Sequence, residues 1–333
     1  MRKLATLAEI ATVRTHPNAD SLDLVTIRGW QVVVKRGEFK SGDPCVYVEI
    51  DSVLPEWPEF EFLRKNRFRI KTIKLRGELS QGISFPVSII PSDAGSFNEG
   101  DDLSEVLDIK LYAPPIPACL AGDVEGKFPS FIPKTDCERI QNHPWLLEDK
   151  DRTWVATEKL DGSSATYFWK DGHFGVCSRN WELRDAPNNA YWIAARKYKL
   201  EEKLSSLGKN IALQGELIGP KIQGNRYKLD CYEIRFFDFF VIDLSRYLTS
   251  HDKRWLLSIM ELDQVPVIYS VFNSGDFNNL TVNDVLGFAE GESKIGKCER
   301  EGLVFLPTCE ESDPRIGRVS FKAISNKFLL KSE

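Results

Sequence analysis

The sequence predicts an α+β protein: an N-terminal β-barrel followed by a domain of mostly antiparallel sheet. Three observations carry this. Up to about residue 110 the chain is a series of short apolar runs broken by Gly, Pro and Asp, the pattern of a small closed barrel rather than of a parallel sheet. Prolines then crowd together, at Pro114, Pro115 and Pro117 and again at Pro129, Pro133 and Pro144, which excludes a long helix or a central strand. Beyond residue 150, strand-like runs dominate, with helical stretches between them. A length of 333 residues suits two domains. They are placed at 1–112 and 141–333, with 113–140 as a proline-rich linker.

Composition narrows the class. Hydrophobic residues at 42% and aromatics at 11% suit packed globular cores. No apolar run approaches the ~18–20 residues that cross a bilayer. The opening MRKLATLAEIATVRTHP lacks the sustained apolar segment of a secretory signal. No membrane partner is expected. The cysteines (Cys45, Cys119, Cys137, Cys177, Cys231, Cys298, Cys309) form no CxxC pair and fit neither a zinc nor a disulfide framework. Reduced thiols of this kind imply a cytoplasmic protein. The net charge of −5 weighs against nucleic-acid binding by bulk charge but permits a local basic groove.

The N-terminal runs follow in order. LATLAEIATVRTH leads to a turn at Pro17-Asn18-Ala19-Asp20. LDLVTIRGWQVVVKRG, DPCVYVEIDSVLP, a basic segment and QGISFPVSII come next. From Arg64 to Arg76 the basic segment, RKNRFRIKTIKLR, holds seven basic residues and no acid. Arg67, Arg69 and Lys71 alternate with Phe68 and Ile70. The phase slips at Thr72-Ile73, after which Lys74 and Arg76 flank Leu75. This predicts a bulged strand, apolar on one face and cationic on the other. The cationic face is either a solvated barrel exterior or a contact for nucleic-acid phosphates. The piece HPNADSLDLVTIRGWQVVV, with a later Gly42-Asp43 turn, resembles the oligonucleotide-binding (OB) barrels of the tRNA-binding-domain type, which implies an OB fold.

After the prolines, Lys134 to Gln141 is predicted as a short helix with Thr135 or Asp136 as N-cap. Arg139 is then either an exposed helix arginine or one that reaches the neighbouring site. Ala186 to Ser206 is predicted as one helix, and further helices are expected over 253–262 and 282–290. ALQGELIG, RFFDFFVIDL, EGLVFLP and RVSFKAIS are strands.

The candidate chemistry centres on Lys159-Leu160-Asp161-Gly162, at the end of the apolar run Trp154-Val155-Ala156. A crowded ammonium loses hydration, its pKa falls, and the neutral amine becomes a nucleophile. By itself, however, Lys-x-Asp-Gly is more often a hairpin turn with a solvated lysine. Later strands supply residue types suited to nucleotide chemistry: Arg179, Glu216, the aromatic run Phe236-Phe237-Asp238-Phe239-Phe240, Glu301 and Lys322. Each has a bland alternative, as an edge carboxylate, a core aromatic or a solvated lysine.

Taken together, Lys159-Leu160-Asp161-Gly162, Ser178-Arg179-Asn180, Gly215-Glu216, Phe237-Asp238, Glu301-Gly302-Leu303-Val304 and Phe321-Lys322 resemble motifs I, Ia, III, IIIa, IV and V of the covalent nucleotidyltransferases. The match is to RNA ligases. WVATEKLDGSS is similar to their motif I, GELIGPKIQGN to motif III and RVSFKAISNKF to motif V. An OB domain ahead of the ligase domain resembles the Rnl5 (Deinococcus-type) branch. The resemblance implies a nucleotidyltransferase domain of the ATP-grasp-like ligase type, with ATP as substrate and Mg²⁺ or Mn²⁺ as cofactor. Lys159 is then the adenylylated nucleophile. Glu158, Arg139, Arg179, Glu216, Phe237, Val304 and Lys322 contact ATP or AMP, with Phe237 or, in a register two residues on, Phe239 stacking adenine. Asp161, Glu216 and Glu301 hold the metal through its water shell. Arg67, Arg69, Lys71, Lys74 and Arg76 are candidates for nucleic-acid contact. The implied partner is RNA with 3′-OH and 5′-phosphate ends, at nicks in duplexes, handled by a monomer. One departure stands out: related motif V segments read Lys-x-Lys, whereas Ile324 stands two places after Lys322 here. A GTP-using capping guanylyltransferase and a non-catalytic RNA-binding protein are the alternatives.

Overall fold

The computed structural model describes residues 2–113, 115, 120, 122–273 and 280–331. Pro114, Pro117 and Cys119 lie outside the described residues. The chain divides into two compact units, Met1–Pro115 with Leu329–Glu333, and Ile116–Phe328. No helix among the described residues is long and apolar enough to cross a membrane. The described cysteines are all free.

The first unit is built from strands β1 (Ala5–Glu9), β2 (Thr12–Thr15), β3 (Leu22–Ile27), β4 (Trp30–Lys35), β5 (Pro44–Val48), β6 (Ser52–Val53), β7 (Thr72–Leu75), β8 (Glu78–Gln81), β9 (Ile83–Pro86) and β10 (Lys110–Leu111). They pair as β1-β5-β9, β2-β3-β4, β7-β8 and β10-β6. Side chains bridge β4 to β8: Gln31 Nε2 donates to Leu79 O (2.9 Å), and Val33 N to Ser80 Oγ (3.1 Å). Trp30, Val32, Val34 and Tyr47 fill one core, and Val46, Val48, Phe60 and Phe68 another.

The basic segment departs from the predicted strand. Pro58–Asn66 is a 3-10 helix with proline in its first turn, and Arg67 and Phe68 take left-handed φ of 53° and 56°. Only Thr72–Leu75 is strand. The reason is packing: Phe60, Leu63, Phe68 and Ile70 all enter one core cluster, and a regular alternating strand cannot turn that set of residues inward.

The second unit holds two antiparallel sheets. Strands β11 (Val124–Lys127), β13 (Ser163–Lys170), β14 (His173–Cys177), β15 (Trp181–Leu183), β16 (Ile211–Ile218), β17 (Glu233–Val241) and β18 (Arg246–Tyr247) form a seven-stranded sheet in the order β11-β15-β14-β13-β16-β17-β18. Strands β12 (Thr153–Lys159), β19 (Val267–Asn273), β20 (Gly302–Pro307) and β23 (Phe321–Ile324) form a four-stranded sheet in the order β19-β12-β20-β23. A small ribbon, β21 (Ser312–Asp313) with β22 (Gly317–Arg318), precedes β23. β11 lies within the proline-rich stretch 113–140 and occupies a sheet edge, where such a segment is tolerated.

The predicted long helix is two, α1 (Ala190–Lys197) and α2 (Leu200–Ser205), broken where Lys199 takes φ 52°. Helices α3 (Ser250–Ile259) and α4 (Val282–Ala289) fall where expected, and α5 (Asn326–Lys331) follows β23. The predicted helix over Lys134 to Gln141 is absent apart from a 3-10 turn at Ile140–Asn142. Its backbone is drawn out instead by β23: Lys322 N donates to Glu138 O at 2.8 Å, and Arg139 bridges to Lys322 in parallel.

Candidate active site

The four-stranded sheet sorts its residues by parity. Trp154 and Ala156 of β12, Leu303 and Phe305 of β20, and Phe321 and Ala323 of β23 are buried together on one face. The alternate residues, Thr157, Lys159, Val304 and Lys322, share the other, with Val304 paired to Thr157 on one side and to Lys322 on the other. Lys159, the last residue of β12, pairs with Gly302. A Cβ on Gly302 would lie 2.1 Å from Ala323 O, so only glycine lets β20 and β23 close up beside the lysine.

Lys159-Leu160-Asp161-Gly162 is not a hairpin turn. β12 and β13 belong to different sheets, and Leu160 to Gly162 carries the chain from one to the other. Gly162 is needed for close approach rather than for a tight turn: a Cβ there would meet Leu217 O at 2.5 Å and Glu216 Cγ at 2.8 Å. The crossing therefore sets Glu216 against motif I. In β16 the pairing with β17 shifts register between Gln214 and Gly215, an irregularity that re-aims the side chains after it.

These placements crowd charge. Lys159 Nζ donates to Glu301 Oε1 at 2.6 Å. Burial alone would lower the Lys159 pKa, but Glu301, Glu216 and Asp161 outweigh it and raise it above the ordinary lysine value. The fall in pKa expected of a crowded lysine is thus reversed by its carboxylate neighbours. Glu216 is pushed up to about 8 by burial, with Glu301 and Asp161 adding repulsion against the pull of Lys159. Burial, then Glu301, raises Asp161 as well. Lys322 goes the other way, down to about 8, through burial and the neighbouring charges of Lys159 and Arg139.

The remaining candidates are placed as follows. Glu158 is 1% exposed. Its Oε2 accepts from Lys294 N at 2.8 Å, whereas its buried Oε1 has no hydrogen-bond partner among the described residues. Phe237 is half-buried against the cluster of Leu160, Ile218, Tyr227 and Val265. Phe239 is wholly inside the core beneath the helices, so the alternative register is unavailable. Arg179 is exposed and pairs with Asp136 at 2.5 Å. Ile324 is buried, two residues along β23 from Lys322 and so on the same strand face. In the first unit, Arg69 pairs with Asp51 (2.5 Å) and stacks on Tyr112 (3.6 Å). Lys74 donates to Leu330 O (3.2 Å). Arg67, Lys71 and Arg76 are exposed.

Two features escape the sequence reading. In the loop between β16 and β17, Tyr227 Oη accepts from Asp161 N at 2.7 Å and Gln223 Nε2 donates to Gly162 O at 3.3 Å. The only sequence signal is a tyrosine in the largely polar run QGNRYKLD. Separately, Asp238 accepts from Lys253 Nζ (3.1 Å) and Arg318 Nη1 (2.7 Å). These three are far apart in the chain and share no motif spacing.

Among the described residues no three His, Cys, Asp or Glu side chains are grouped to ligate a metal directly.

A strand-end lysine ringed by carboxylates, with a second lysine on the same sheet face, is the arrangement that the resemblance to covalent nucleotidyltransferases implies. Sequence and structure comparisons agree. A family model described as RNA ligase matches residues 152–324, and one described as an OB-fold domain matches 4–87. Naegleria gruberi RNA ligase, as a lysine-to-methionine variant with AMP and Mn, is 40% identical over 99% of both chains, with a TM-score of 0.85. The same enzyme with PPi gives 40% identity, 99% coverage of both chains and a TM-score of 0.84. A lysine-to-alanine variant with ATP and Mn gives 40%, 99% of both and 0.85. No curated protein matches by sequence. The chain belongs to the RNA ligase family, in its Rnl5-type branch with an N-terminal OB-fold domain.

Proposed function

We propose that Lys159 is the nucleophile of an ATP-dependent RNA ligase reaction. The observation that carries this is the Lys159 ammonium 2.6 Å from Glu301, at a strand end, with Glu216, Asp161 and Lys322 adding to the same local field. Lys159 Nζ first gives up a proton, for which Glu301 is within reach. Its lone pair forms an N–P bond to the α-phosphorus of ATP as the P–O bond to pyrophosphate breaks. The AMP then passes to the 5′-phosphate of an RNA end, which restores the lysine. A 3′-OH attacks that phosphate, AMP leaves, and the phosphodiester is closed.

The chain's own residues bind and orient the nucleotide. Lys322 clamps the α-phosphate; burial first, then the charges of Lys159 and Arg139, bring its pKa down to about 8. Arg139, beside Lys322 in the backbone, serves the β- or γ-phosphate, and Arg179 the ribose. Phe237 and Val304, half-buried where their neighbours are buried, sandwich adenine. The unpaired Glu158 Oε1 is a buried acceptor that calls for a donor. The 6-amino group of adenine is one, whereas guanine offers a carbonyl at that position. This favours ATP over GTP.

The site suits a divalent cation. Three carboxylates face one ammonium, and Glu216 is raised to about 8 by burial and by its acidic neighbours, an excess of negative charge that a cation relieves. Asp161, Glu216 and Glu301 would hold Mg²⁺ or Mn²⁺ through its water shell. Bound there, the ion offsets phosphate charge and favours the neutral form of Lys159.

Arg67, Arg69, Lys71, Lys74 and Arg76 are the candidates in the OB unit for RNA phosphates, and Arg67, Lys71, Lys74 and Arg76 are exposed. The substrate we favour is a nick in a duplex with RNA on the 3′-OH side, sealed by a monomer in the cytoplasm. Incubation with labelled ATP or GTP and Mg²⁺ tests the reading. ATP should label the protein and GTP should not, and Lys159→Ala should abolish the label. A folded protein that takes no label would support a non-catalytic RNA-binding role instead. Sealing of RNA and DNA 3′-OH ends at equal rates would remove the RNA-specific part.

A further inference from the structure

We infer that the loop over residues 219–232 is a clamp on the backbone that carries Lys159, and that Tyr227 is a positioning residue for the adenylylation step. The inference rests on Lys159 being the nucleophile. It adds a role for residues that contact neither the lysine side chain nor any residue assigned above to the nucleotide's phosphates.

Among the described residues the crossing Leu160 to Gly162 has no strand partner, so something else must fix its backbone. The loop grips it at successive residues: Tyr227 Oη accepts from Asp161 N (2.7 Å), and Gln223 Nε2 donates to Gly162 O (3.3 Å). Behind them, Gly162 abuts β16 so closely that a Cβ would overlap Leu217 O. The crossing is thus held between β16 and the loop that follows it. Tyr227 is 6% exposed, in an apolar cluster with Leu160, Ile218 and Val265. A hydroxyl costs free energy in such a place unless it is bonded, and its described bond is to the motif I backbone.

The loop is built to hold this shape. Lys221, Gln223, Asn225 and Lys228 all take left-handed φ, between 42° and 64°, which costs non-glycine residues free energy and persists only where surrounding contacts impose it. Those contacts are present. The Asn225 side chain bonds both Leu229 N (3.0 Å) and Leu229 O (2.9 Å), and Arg226 Nη2 donates to Glu299 O (3.1 Å). Gly296 leaves only 3.1 Å between a would-be Cβ and Tyr227 Cα, so the next segment packs against the tyrosine backbone. A displacement of the crossing would move Lys159 and Asp161 together, and small displacements at a reacting centre are costly.

The test uses the full-length protein with Tyr227→Phe, which keeps the ring and removes the hydroxyl, together with Gln223→Ala and the double variant. In single turnovers at saturating ATP, Tyr227→Phe should adenylylate Lys159 roughly three- to tenfold more slowly, the effect of one hydrogen bond. Its KM for ATP and its melting temperature should stay close to wild type. Sealing of a pre-adenylylated RNA strand at a nick should be slowed less, because Lys159 is not the nucleophile there. The double variant should lose less than the product of the single losses, because both bonds hold one backbone segment. Wild-type adenylylation in Tyr227→Phe, equal slowing of adenylylation and sealing, an effect confined to KM, or a fully multiplicative double variant would each overturn the clamp. If the wild-type protein itself forms no adduct, it is the assignment of Lys159 that fails.

Discussion

Around Asp238 the charges cancel; around Lys159 they do not. Asp238 and Glu310 face Lys253 and Arg318, with Arg318 donating to both carboxylates (2.7 Å to Asp238, 2.5 Å to Glu310) and stacking on Tyr247 at 3.7 Å. Burial would raise the Asp238 pKa, but Arg318 and Lys253 outweigh it and hold it below the usual carboxylate range. In the same unit, Lys159 meets Glu301, Glu216 and Asp161, and Glu216 is raised to about 8. A satisfied cluster ties elements together; a frustrated one is waiting for charge to arrive. Here the satisfied cluster joins β17, α3 and β22, just ahead of the strand that carries Lys322.

The contrast can be broken from either side. Asp238→Ala leaves Lys253, 6% exposed, as a buried charge without its carboxylate, and should cost about 3–5 kcal/mol of stability in denaturant melts. A melt within about 1 kcal/mol of wild type would show that the cluster is not structural. Glu216→Gln should do the reverse. Adenylylation should fall roughly 10–100-fold, the scale for groups that act on a metal through an outer shell, while the melting temperature holds or rises because repulsion is relieved. A large loss of stability would place Glu216 among structural charges.

Acid should also separate the clusters. Asp238 has a depressed folded pKa, so its contribution is complete above the ordinary carboxylate value of about 4 and is lost as pH falls through the folded value. Melting curves between about pH 6 and pH 2 should therefore show wild type losing more stability than Asp238→Asn over that range; parallel curves would contradict the assignment. The smallest effect is expected in the OB unit. Arg76→Ala should weaken nicked-RNA binding a few-fold at low salt and less at high salt, with a salt slope shallower by about one. An unchanged slope would remove Arg76 from the phosphate contacts.

The sequence displayed these features unevenly. Lys159 at a strand end was legible, because an apolar run stops there. That its tetrapeptide crosses between sheets was not, since Lys-x-Asp-Gly has the local signature of a hairpin and the choice depends on Gly162 fitting against Leu217. The strand of Phe237 was legible from its aromatics, but not that Phe239 is fully buried while Phe237 is half-buried, which depends on what packs on each face. The Arg64 to Arg76 segment misled because its period of two is real, yet Phe60 and Leu63, further upstream, pull the chain into a 3-10 helix. Arg69, one of the basic residues of that segment, pairs with Asp51 and stacks on Tyr112, contacts that no local spacing announces. The partners of Asp238 and the role of Tyr227 stayed hidden for one reason: the contacts come from other segments, at spacings set only by the fold.

The central claim is that the frustrated lysine forms a covalent bond to AMP. The direct measurement is the intact mass of the full-length protein after incubation with ATP and Mg²⁺, followed by peptide mapping. The expected result is a gain of one AMP, carried on Lys159 and absent in a folded Lys159→Ala variant. An adduct on any other residue, or a wild-type protein of unchanged mass, would contradict it.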